Sequence, residues 1–481
     1  MPDYPTTQFE SEARPRPRRQ AAARGAFGDG GDRGDRGDRG DRSDRGDRGG
    51  RGGRSDRGDR HPMARLGETG TIHSPPGDAP SRSRPQGPPA SAAPLVSVVI
   101  PVRNERAFIA CCLDSVLAND YPAGRLEILA VDGMSDDGTR DILADYASRQ
   151  PALRLLDNPA KITPVALNRG IREARGELVV RLDAHARLAP DYISQCVAWA
   201  ESSGADNVGG RMRTLPRGSG LVAEAIALAL GHPFGVGNSA FRTNAAPRTN
   251  AAAPRWVDTV FGGCYRRGIL ERVGEFNERL PRGQDLEFNL RLKRAGGRTL
   301  LVPSIRCDYF ARCDPRSFLR HNWTNGVWAI RPFAASEIVP VRPRHLVPLG
   351  LVLALSGALA IWLAPVDVLT LGPLFKAVSF GPVSFGPVSF GPISLGALLP
   401  ALEGFRSWPV LLLVSCYLAA ALVAATQLAW RTRNSRLWIV LPAVFVSLHL
   451  AYGLGSLWGV FEAAAAIARC AIGVGGPAKQ R

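Results

Sequence analysis

The chain has 481 residues, of which 60 are lysine or arginine and 43 are aspartate or glutamate, so its formal net charge is +17. This length is enough for two or three domains. The eight cysteines form no Cys-x-x-Cys pair, and we expect them to be reduced and mostly buried. Much of the positive charge flanks apolar segments near the C-terminus, which favours a membrane surface and phosphorylated substrates over nucleic acid as partners.

Residues 1–94 are the first compositional block and contain almost no large apolar side chains. Gly-Asp-Arg recurs through residues 31–60, with Arg-Gly-Gly pieces among the repeats. Such a segment cannot bury enough apolar surface to offset its ordering entropy, so we predict a disordered tail. The Arg-Gly-Asp triplets follow from the repeat itself and do not indicate an adhesion motif. Met63 lies just past the repeat, and translation from either Met1 or Met63 fits the sequence.

Strands and helices alternate from residue 96 onward. A short β-branched run at 96–102 predicts a buried strand, and the spacing of apolar residues after it predicts a helix. The alternation continues with strands at 126–131, 153–156 and 178–182 and with helices at 109–117, 141–146 and 163–174. This order predicts a parallel, doubly wound α/β sheet.

Three of these strands are followed by, or end on, a carboxylate: Glu105, Asp132 and Asp183. Ligands of open α/β sheets bind at the carboxyl ends of strands. A carboxylate there can accept hydrogen bonds from a base or ribose, or bind a hard cation that bridges two phosphates. His185 follows Asp183 by two residues and makes Asp-Ala-His a candidate metal-binding pair. By itself such a pair is more often a turn former beside a structural histidine, so its surroundings decide.

Motifs for other ligands are missing from the strand ends. No strand is followed by Gly-x-Gly-x-x-Gly, and Gly-x-x-x-x-Gly-Lys does not occur. Dinucleotide-binding and P-loop interpretations therefore have no motif to support them.

Three apolar runs follow the α/β segment, at residues 346–365, 409–429 and 437–460. Each is long enough to cross roughly 30 Å of hydrocarbon, so we predict three transmembrane helices in a membrane domain at 341–475. Arginines flank these runs at positions 342, 344, 431, 433 and 436. By the positive-inside rule these ends face the cytoplasm, and with them the α/β domain.

The loop predicted between the first two spans, residues 376–396, repeats Val-Ser-Phe-Gly-Pro. Because Gly-Pro at every fifth residue forbids a continuous helix, we predict a turn-rich loop on the external side. Residues 461–475 carry Glu462 and Arg469 and are predicted to be interfacial rather than a fourth span. Residues 476–481 form a short tail.

Several motifs of the α/β segment occur in an order that belongs to a known family. They are Pro-Val-Arg-Asn-Glu at 101–105, Asp-Gly-Met-Ser-Asp-Asp-Gly-Thr at 132–139, Leu-Asn-Arg-Gly at 167–170, Asp-Ala-His at 183–185, Val-Asp-Thr-Val-Phe-Gly-Gly-Cys-Tyr-Arg-Arg at 257–267 and Gln-Asp-Leu-Glu-Phe-Asn-Leu-Arg at 284–291. With this series, residues 95–345 resemble the family 2 inverting glycosyltransferases. The last motif looks most like the membrane-associated transferases of succinoglycan-type exopolysaccharide synthesis.

The resemblance implies a GT-A fold and transfer of a sugar from a nucleotide donor with inversion at the anomeric carbon. By position, Asp183 would hold a divalent cation, Mn²⁺ or Mg²⁺, on the diphosphate, with His185 in the second place of the usual Asp-x-Asp. Asp285 would deprotonate the acceptor hydroxyl, and its neighbour Gln284, where the family commonly has Glu, leaves that role intact. Asp132 would contact the nucleoside. The full set implied to bind the nucleotide sugar is Pro101, Asn104, Glu105, Asp132, Asp137, Asn168 and Asp183.

Three segments near the site carry weaker signals. Residues 221–230 are apolar but too short to cross a bilayer, and they predict a helix near the acceptor side. His232 precedes a proline in an apolar stretch and is interpreted as structural. Residues 244–254 predict a flexible insertion near the acceptor cleft. The aromatic residues of 321–328 either line the acceptor path or lie at the membrane interface.

The sequence thus predicts a tail at 1–94, a GT-A domain (α/β, Rossmann-like, with a mostly parallel sheet) at 95–340, and C-terminal transmembrane helices. The predicted function is transfer of a sugar, by resemblance from a UDP-sugar, to a lipid-linked or polysaccharide acceptor in exopolysaccharide or cell-envelope glycan synthesis. The predicted location is a bacterial inner membrane, with several spans and a cytoplasmic catalytic domain. Nucleic acid is not an expected partner.

Two other functions fit parts of the sequence. A processive polysaccharide synthase shares the fold and donor chemistry, but such enzymes carry Gln-x-x-Arg-Trp after the base and membrane helices ahead of the catalytic domain, and this chain shows neither. A membrane-anchored interaction protein would bind RNA or another polyanion through the tail. That tail holds 18 arginines against 14 acidic residues and few aromatic residues, which argues against single-strand binding.

Overall fold

A computed structural model describes residues 85, 92–243, 253–335, 341–364, 379–380, 383–385, 388–390, 393–394 and 407–471. These residues all belong to the larger of two compact units, residues 74–481. Most of the predicted tail at 1–94 and of the predicted insertion at 244–254 lies outside the described residues, as does the segment 476–481.

A nine-stranded sheet forms the centre of the α/β domain. Its strands are β1 (Val96–Val102), β2 (Leu126–Asp132), β3 (Leu153–Asp157), β4 (Leu178–Arg181), β5 (Ala186–Leu188), β6 (Asn207–Pro216), β7 (Arg255–Val257), β8 (Cys264–Arg266) and β9 (Thr299–Ala311). The strand order is β3-β2-β1-β4-β8-β6-β9-β5, with β7 also paired to β9.

The first half of this sheet is parallel and the second half is mixed. Strands β1 to β4 pair in parallel, which confirms the order predicted for residues 96–182. Strand β8 is antiparallel to both its neighbours, β6 is parallel to β9, and β5 and β7 are antiparallel to β9. The sequence pattern did not predict β5 to β9. Three of these strands, β5, β7 and β8, have only three residues and are too short to give a periodic signal.

Helices cover both faces of the sheet. In chain order they are α1 (Ile109–Leu117), α2 (Thr139–Arg149), α3 (Thr163–Glu173), α4 (Tyr192–Ser203), α5 (Leu221–Leu230), α6 (Pro233–Val236), α7 (Arg267–Val273), α8 (Gln284–Arg294), α9 (Pro315–Ile330) and α10 (Pro332–Ala335), with a single 3₁₀ turn at Ala123–Arg125. Helices α1 and α4 share a core with one face of β1, and α3, α7 and α8 share a core with the opposite face. The predicted doubly wound arrangement is therefore present.

Strand β1 shows why the predicted central strands are apolar at successive positions and do not alternate between apolar and polar residues. Val98 and Ile100 point into one core, and Val99 points into the other. A parallel strand covered by helices on both sides must be apolar at successive positions. The β-branched run was therefore a reliable signal for a central strand.

Three long apolar helices follow the α/β domain: α11 (Pro343–Leu363), α12 (Trp408–Thr432) and α13 (Leu437–Ala471). By length and composition, Pro343–Leu363, Trp408–Thr432 and Leu437–Ala465 are long enough to cross a membrane. Helix α13 continues to Ala471, so the described part of the segment 461–475 extends the third apolar helix and does not form a fourth span of its own. Its interfacial position stays a prediction. Its acidic residue, Glu462, forms an ion pair of 2.8 Å with Arg331, so the charge does not interrupt the helix.

The described part of the Val-Ser-Phe-Gly-Pro repeat consists of four strands of two or three residues. They are β10 (Ser379–Phe380), β11 (Val383–Phe385), β12 (Val388–Phe390) and β13 (Ile393–Ser394). Strand β10 pairs with β13, and β11 pairs with β12, both antiparallel. The prediction of a non-helical loop is correct for these residues, and the short strands were not foreseen.

The α/β domain contacts α13 through its helices α5, α6 and α9. Helices α5 and α9 share a core cluster with α12 and α13. Close approach is possible because of glycine: a Cβ on Gly326 of α9 would lie 2.0 Å from the Tyr452 oxygen, and one on Gly455 would lie 2.1 Å from the Trp323 oxygen. His232 begins α6, where its Nδ1 accepts a hydrogen bond from the N–H of Phe234, as a structural residue would.

Candidate functional site

The candidate site lies at the carboxyl edge of the parallel half of the sheet. Pairing sets Val102 beside Asp132 and Asp132 beside Asp157, so the ends of β1, β2 and β3 are level. Strand β4 is in register with β1 through Val99 and Arg181. The loops that follow β1, β2 and β4 therefore meet at one edge of the sheet, where the sequence predicted a site.

The loops after β1 and β2 are tied together by side chains. Asn104, in the left-handed region at φ 54°, donates to Asp136 at 2.8 Å and accepts from its N–H at 3.1 Å. Asp137 accepts from the Thr139 hydroxyl and from the N–H of Arg106. Burial acts to raise the pKa of Asp137, but these hydrogen bonds outweigh it and lower the pKa. Beside this junction is a cavity of about 420 Å³ lined by Asn104, Glu105, Arg106, Ala107, Phe108, Asp137 and Arg217.

Asp132 lies behind these loops with its carboxylate occupied by protein groups. The side chain is fully buried and accepts from the Ser135 hydroxyl at 2.5 Å and from Arg140 at 2.9 Å. These contacts hold the β2 loop. A nucleoside contact at Asp132, as the resemblance implied, would require one of these bonds to be exchanged.

Two more of the implied substrate-binding residues, Asn168 and Pro101, make contacts within the protein fold. Asn168 on α3 is buried, and its amide exchanges hydrogen bonds with the backbone of Phe276 and donates to Glu278. Pro101 lies within β1, paired with Val131. Asn168 therefore positions the segment ahead of α8, and neither residue lines the cavity beside Asn104.

Glu105, which is buried, pairs with the half-buried His185. His185 Nδ1 lies 3.0 Å from one oxygen of Glu105, and Arg217 lies 3.1 Å from the other. Burial acts to raise the pKa of Glu105, but His185 and Arg217 outweigh it and lower the pKa. Because Nδ1 faces the carboxylate, the opposite ring nitrogen, Nε2, is the atom left for a ligand, which is the arrangement common among metal-binding histidines.

Arg181 joins two carboxylates that are far apart in sequence. It ends β4, is 8% exposed, and lies 2.8 Å from Asp183 and 3.3 Å from Asp285. Sequence reasoning did not single out this residue. A charged residue in an otherwise apolar buried strand was the available signal, since a buried arginine requires an acidic partner.

Asp285 lies in the first turn of α8, after Gly283 in the left-handed region at φ 76°. Its side chain is 33% exposed, yet one oxygen, Oδ1, is buried and has no hydrogen-bond partner within the described residues. Burial raises the pKa of Asp285, Arg181 acts against it, and the nearby charge of Asp183 adds to the rise. A carboxylate with a raised pKa and a free oxygen is suited to accept a proton.

Asp183 and His185 fit a divalent cation that arrives with phosphate groups. Within the described ranges there is no group of three or more His, Cys, Asp or Glu side chains that could hold a metal ion. Asp183 and His185 would supply one carboxylate oxygen and one imidazole nitrogen. Cations that act on nucleotides commonly take their remaining ligands from phosphate oxygens and water.

The segment at 257–267 contacts both Arg181 and helix α8. Gly263 accepts a hydrogen bond of 3.0 Å from the Arg181 N–H. Gly262 has φ 67°, and a Cβ there would lie 2.7 Å from the Arg181 oxygen, so glycine is needed for this close approach. Asn289 of α8 donates to Thr259 at 2.9 Å and so joins this segment to the helix of the candidate base.

The fold is a GT-A-like mixed sheet with a carboxylate-lined edge, followed by three apolar helices at the C-terminus. Residues 97–246 match the family described as glycosyl transferase family 2. The chain therefore contains a glycosyltransferase family 2 domain.

The similar proteins are named for polysaccharide biosynthesis or for glycosyl transfer. The succinoglycan biosynthesis protein ExoA of Rhizobium meliloti is 28% identical over 300 residues, which cover 58% of this chain and 88% of that protein. Glycosyltransferase AglE of Haloferax volcanii is 30% identical over 208 residues, 43% of this chain and 64% of that protein. The solved mannosyltransferase PcManGT of Pyrobaculum calidifontis, in complex with GDP-Man and Mn²⁺, has a TM-score of 0.40 at 20% identity and covers 77% of this chain and 89% of its own.

Proposed function

We propose that this protein is an inverting, metal-dependent hexosyltransferase that moves a sugar from a nucleotide-diphosphate donor, with UDP-sugars as the first to test, to a membrane-associated saccharide acceptor. One observation carries the proposal: Arg181 holds Asp183 and Asp285 in a single site. A cation-binding carboxylate and a base are the two groups that such a transfer needs. The name of the Rhizobium relative supports exopolysaccharide or cell-envelope glycan synthesis as the setting.

On the donor side, Asp183 and His185 would hold the cation, which supplies charge stabilisation to the departing diphosphate. Glu105 fixes the imidazole of His185 through Nδ1. The cavity beside Asn104 and Asp137 is large enough to receive part of a nucleotide and lies next to Glu105. These residues orient the donor. Asn104, with its left-handed backbone, holds the loops after β1 and β2 together through its hydrogen bond to Asp136.

On the acceptor side, Asp285 takes the proton from the attacking hydroxyl. Its raised pKa makes it a stronger base than an exposed aspartate. Arg181 directs one oxygen of Asp285 and leaves the other, Oδ1, for the acceptor. A single displacement of this kind, with the base and the leaving group on opposite sides of the sugar, inverts the anomeric carbon.

The three apolar helices would place this chemistry at a membrane. We infer a bacterial inner membrane, with α11, α12 and α13 as spans and the α/β domain, residues 95–340, in the cytoplasm. The basis is the cluster of arginines at the ends of these helices. A lipid-linked saccharide is the acceptor that this placement favours.

The experiment is a panel of nucleotide sugars incubated with membranes that contain the full chain, scored for nucleotide release with Mn²⁺, with Mg²⁺ and with chelator. We expect release from one donor class, dependent on a cation. Asp285→Asn keeps the shape of the side chain and is expected to lower turnover by about 10²–10⁴-fold while donor affinity stays nearly unchanged.

Asp145→Asn is the matched control, because Asp145 forms an exposed ion pair with Arg149 on α2, away from the site. Near-normal turnover of the Asp285→Asn enzyme would require another base. The anomeric configuration of the product, read by NMR, tests inversion, and a ladder of long polymers grown from one acceptor would replace the single-sugar transferase with a processive synthase.

A further inference from the structure

Three arginines near the candidate base form no ion pair within the described residues: Arg242, Arg282 and Arg312. Their neighbours Arg181 and Arg217 are paired, with Asp183 and Asp285 and with Glu105 respectively. The Nε atom of Arg242 is buried and has no hydrogen-bond partner in this part of the structure. An unpaired buried donor on a cation is costly, which indicates that an anion completes the group when the protein is at work.

Arg282, Arg312 and Arg242 all lie close enough to one histidine, His321, for their charges to affect its pKa. Arg282 lies 3.4 Å from His321 Nδ1 and donates to Asn325 at 2.5 Å. Burial lowers the pKa of His321 to about 3, and the charges of Arg282, Arg312 and Arg242 add to this effect. His321 is therefore neutral at pH 7 and offers no compensating charge. We refer to Arg242, Arg282 and Arg312 as the arginine cluster.

The arginine cluster adjoins the candidate catalytic site. Arg242 is close enough to Asp183 and Tyr309 for their charges to affect its pKa, although burial lowers that pKa overall. The ring of Tyr309 lies 4.8 Å from that of His185. The cavity beside Asn104, in contrast, is lined by other residues. An anion bound to the arginine cluster would therefore lie outside the cavity beside Asn104, which is proposed to receive part of the nucleotide.

The arginine cluster also adjoins the helices that face the membrane. His321 and Asn325 belong to α9, and the adjacent face of α9 packs on α13 through Gly326. Two large apolar side chains of α9, Leu319 (42%) and Trp323 (39%), are exposed. Apolar and aromatic groups exposed on a short amphipathic helix beside a membrane span are typical of the bilayer interface.

We propose that the arginine cluster binds the phosphate group through which the acceptor saccharide is attached to its membrane lipid. This deepens the proposed function and rests on it. Guanidinium groups bind phosphate oxygens in pairs of parallel hydrogen bonds, and three of them match a phosphate or diphosphate. With the phosphate held between α9 and Asp285, the attached sugar reaches the base while the lipid chain stays at the interface.

The test measures binding, so that it does not depend on the transfer reaction. Purified full-length protein in phosphatidylcholine nanodiscs is titrated with farnesyl phosphate, with farnesol, with inorganic phosphate and with UDP plus Mn²⁺. We expect farnesyl phosphate to bind and farnesol not to bind. Arg282→Ala and Arg312→Ala are each expected to weaken farnesyl phosphate binding by about tenfold or more and to leave UDP binding unchanged.

Arg320→Ala is the matched control, because Arg320 is an exposed residue of α9 and lies outside the arginine cluster. Arg312→Lys, which keeps the charge of an exposed side chain, should restore part of the affinity that Arg312→Ala loses.

Three outcomes would contradict the proposal. Equal weakening of UDP binding and farnesyl phosphate binding would assign the cluster to the donor instead. Unchanged farnesyl phosphate binding in both alanine variants would overturn the proposal. Inorganic phosphate that binds as tightly as farnesyl phosphate would exclude a lipid-attached ligand. Nucleotide release from the donor panel reports separately on the proposed function.

Discussion

At the scale of single residues, Arg181 determines the chemistry of the site. Two carboxylates, Asp183 and Asp285, lie close enough to raise the pKa of Asp285, and the buried guanidinium between them offsets part of that repulsion. Without it, the pKa of Asp285 would be raised further. Arg181 therefore has a positioning role for both the proposed cation site and the proposed base.

This arrangement predicts the pH dependence of the reaction. The proposed base must be ionised, so kcat/KM should fall as the pH drops through the raised pKa of Asp285, above the ordinary aspartate value of about 3.9. Removing the opposing charge with Arg181→Met is expected to move this acid limb to higher pH. Arg187→Met, which breaks an ion pair with Asp308, is the control and should leave the limb in place. If the acid limb of the Arg181→Met enzyme stays at the same pH, the ionisation that limits the rate is not that of Asp285.

The sequence was informative about some site residues and silent about others. Carboxylates at strand ends are visible because the strand and the residue after it are neighbours in the chain. The partners of those carboxylates are not visible, since the contact of Arg181 with Asp285 joins β4 to α8. For the same reason, the internal hydrogen bonds of Asp132 and Asn168 became apparent only in the structure.

At the scale of elements, the position of β1 against β2 is secured by one buried polar group. Glu127 lies in β2 opposite Ser97 of β1. Its carboxylate accepts from the Ser97 hydroxyl at 2.5 Å and from the N–H and Nε of Arg175. Burial acts to raise the pKa of Glu127, but these bonds outweigh it and lower the pKa. The register that levels the strand ends thus depends partly on this residue.

We predict that Glu127→Ala destabilises the domain by about 1–3 kcal/mol, because it leaves the Ser97 hydroxyl and the Arg175 N–H buried without an acceptor. The loss should be measured by denaturant unfolding of the purified protein, with turnover per folded molecule nearly unchanged. Glu173→Ala is the control, since Glu173 pairs with Arg154 at the surface and should cost less than about 1 kcal/mol. Equal losses in the two variants would contradict the importance given to the β1–β2 contact.

At the scale of the whole molecule, the α/β domain is attached to the apolar helices by close helix packing. Helix α9 contacts α13 through glycines, and an ion pair between Arg331 and Glu462 lies near the end of the same contact. Because α9 also carries His321, which lies beside Arg282 of the arginine cluster, this contact joins the proposed acceptor site to the apolar helices.

We predict that Gly326→Ala and Gly455→Ala each destabilise the packing of α9 on α13 by about 1–3 kcal/mol, because an added Cβ would overlap backbone atoms. The melting temperature in detergent should fall, and KM for a lipid-linked acceptor should rise more than KM for the nucleotide sugar. Gly357→Ala is the control, since a Cβ at that position of α11 meets nothing within 4 Å. Unchanged melting in both packing variants would show that α9 and α13 do not depend on this contact.

The sequence by itself determined the alternation of strands and helices through residue 182, the three long apolar helices and the carboxylates at the strand ends. These features depend on periodicity, length and neighbouring residues, which are local properties of a chain. Only the tertiary structure decided the mixed half of the sheet, the bridge from Asp183 to Asp285 through Arg181, and the arginine cluster near His321 of α9. Each of these joins residues distant in sequence, and their contacts follow from packing and charge compensation that no local pattern encodes.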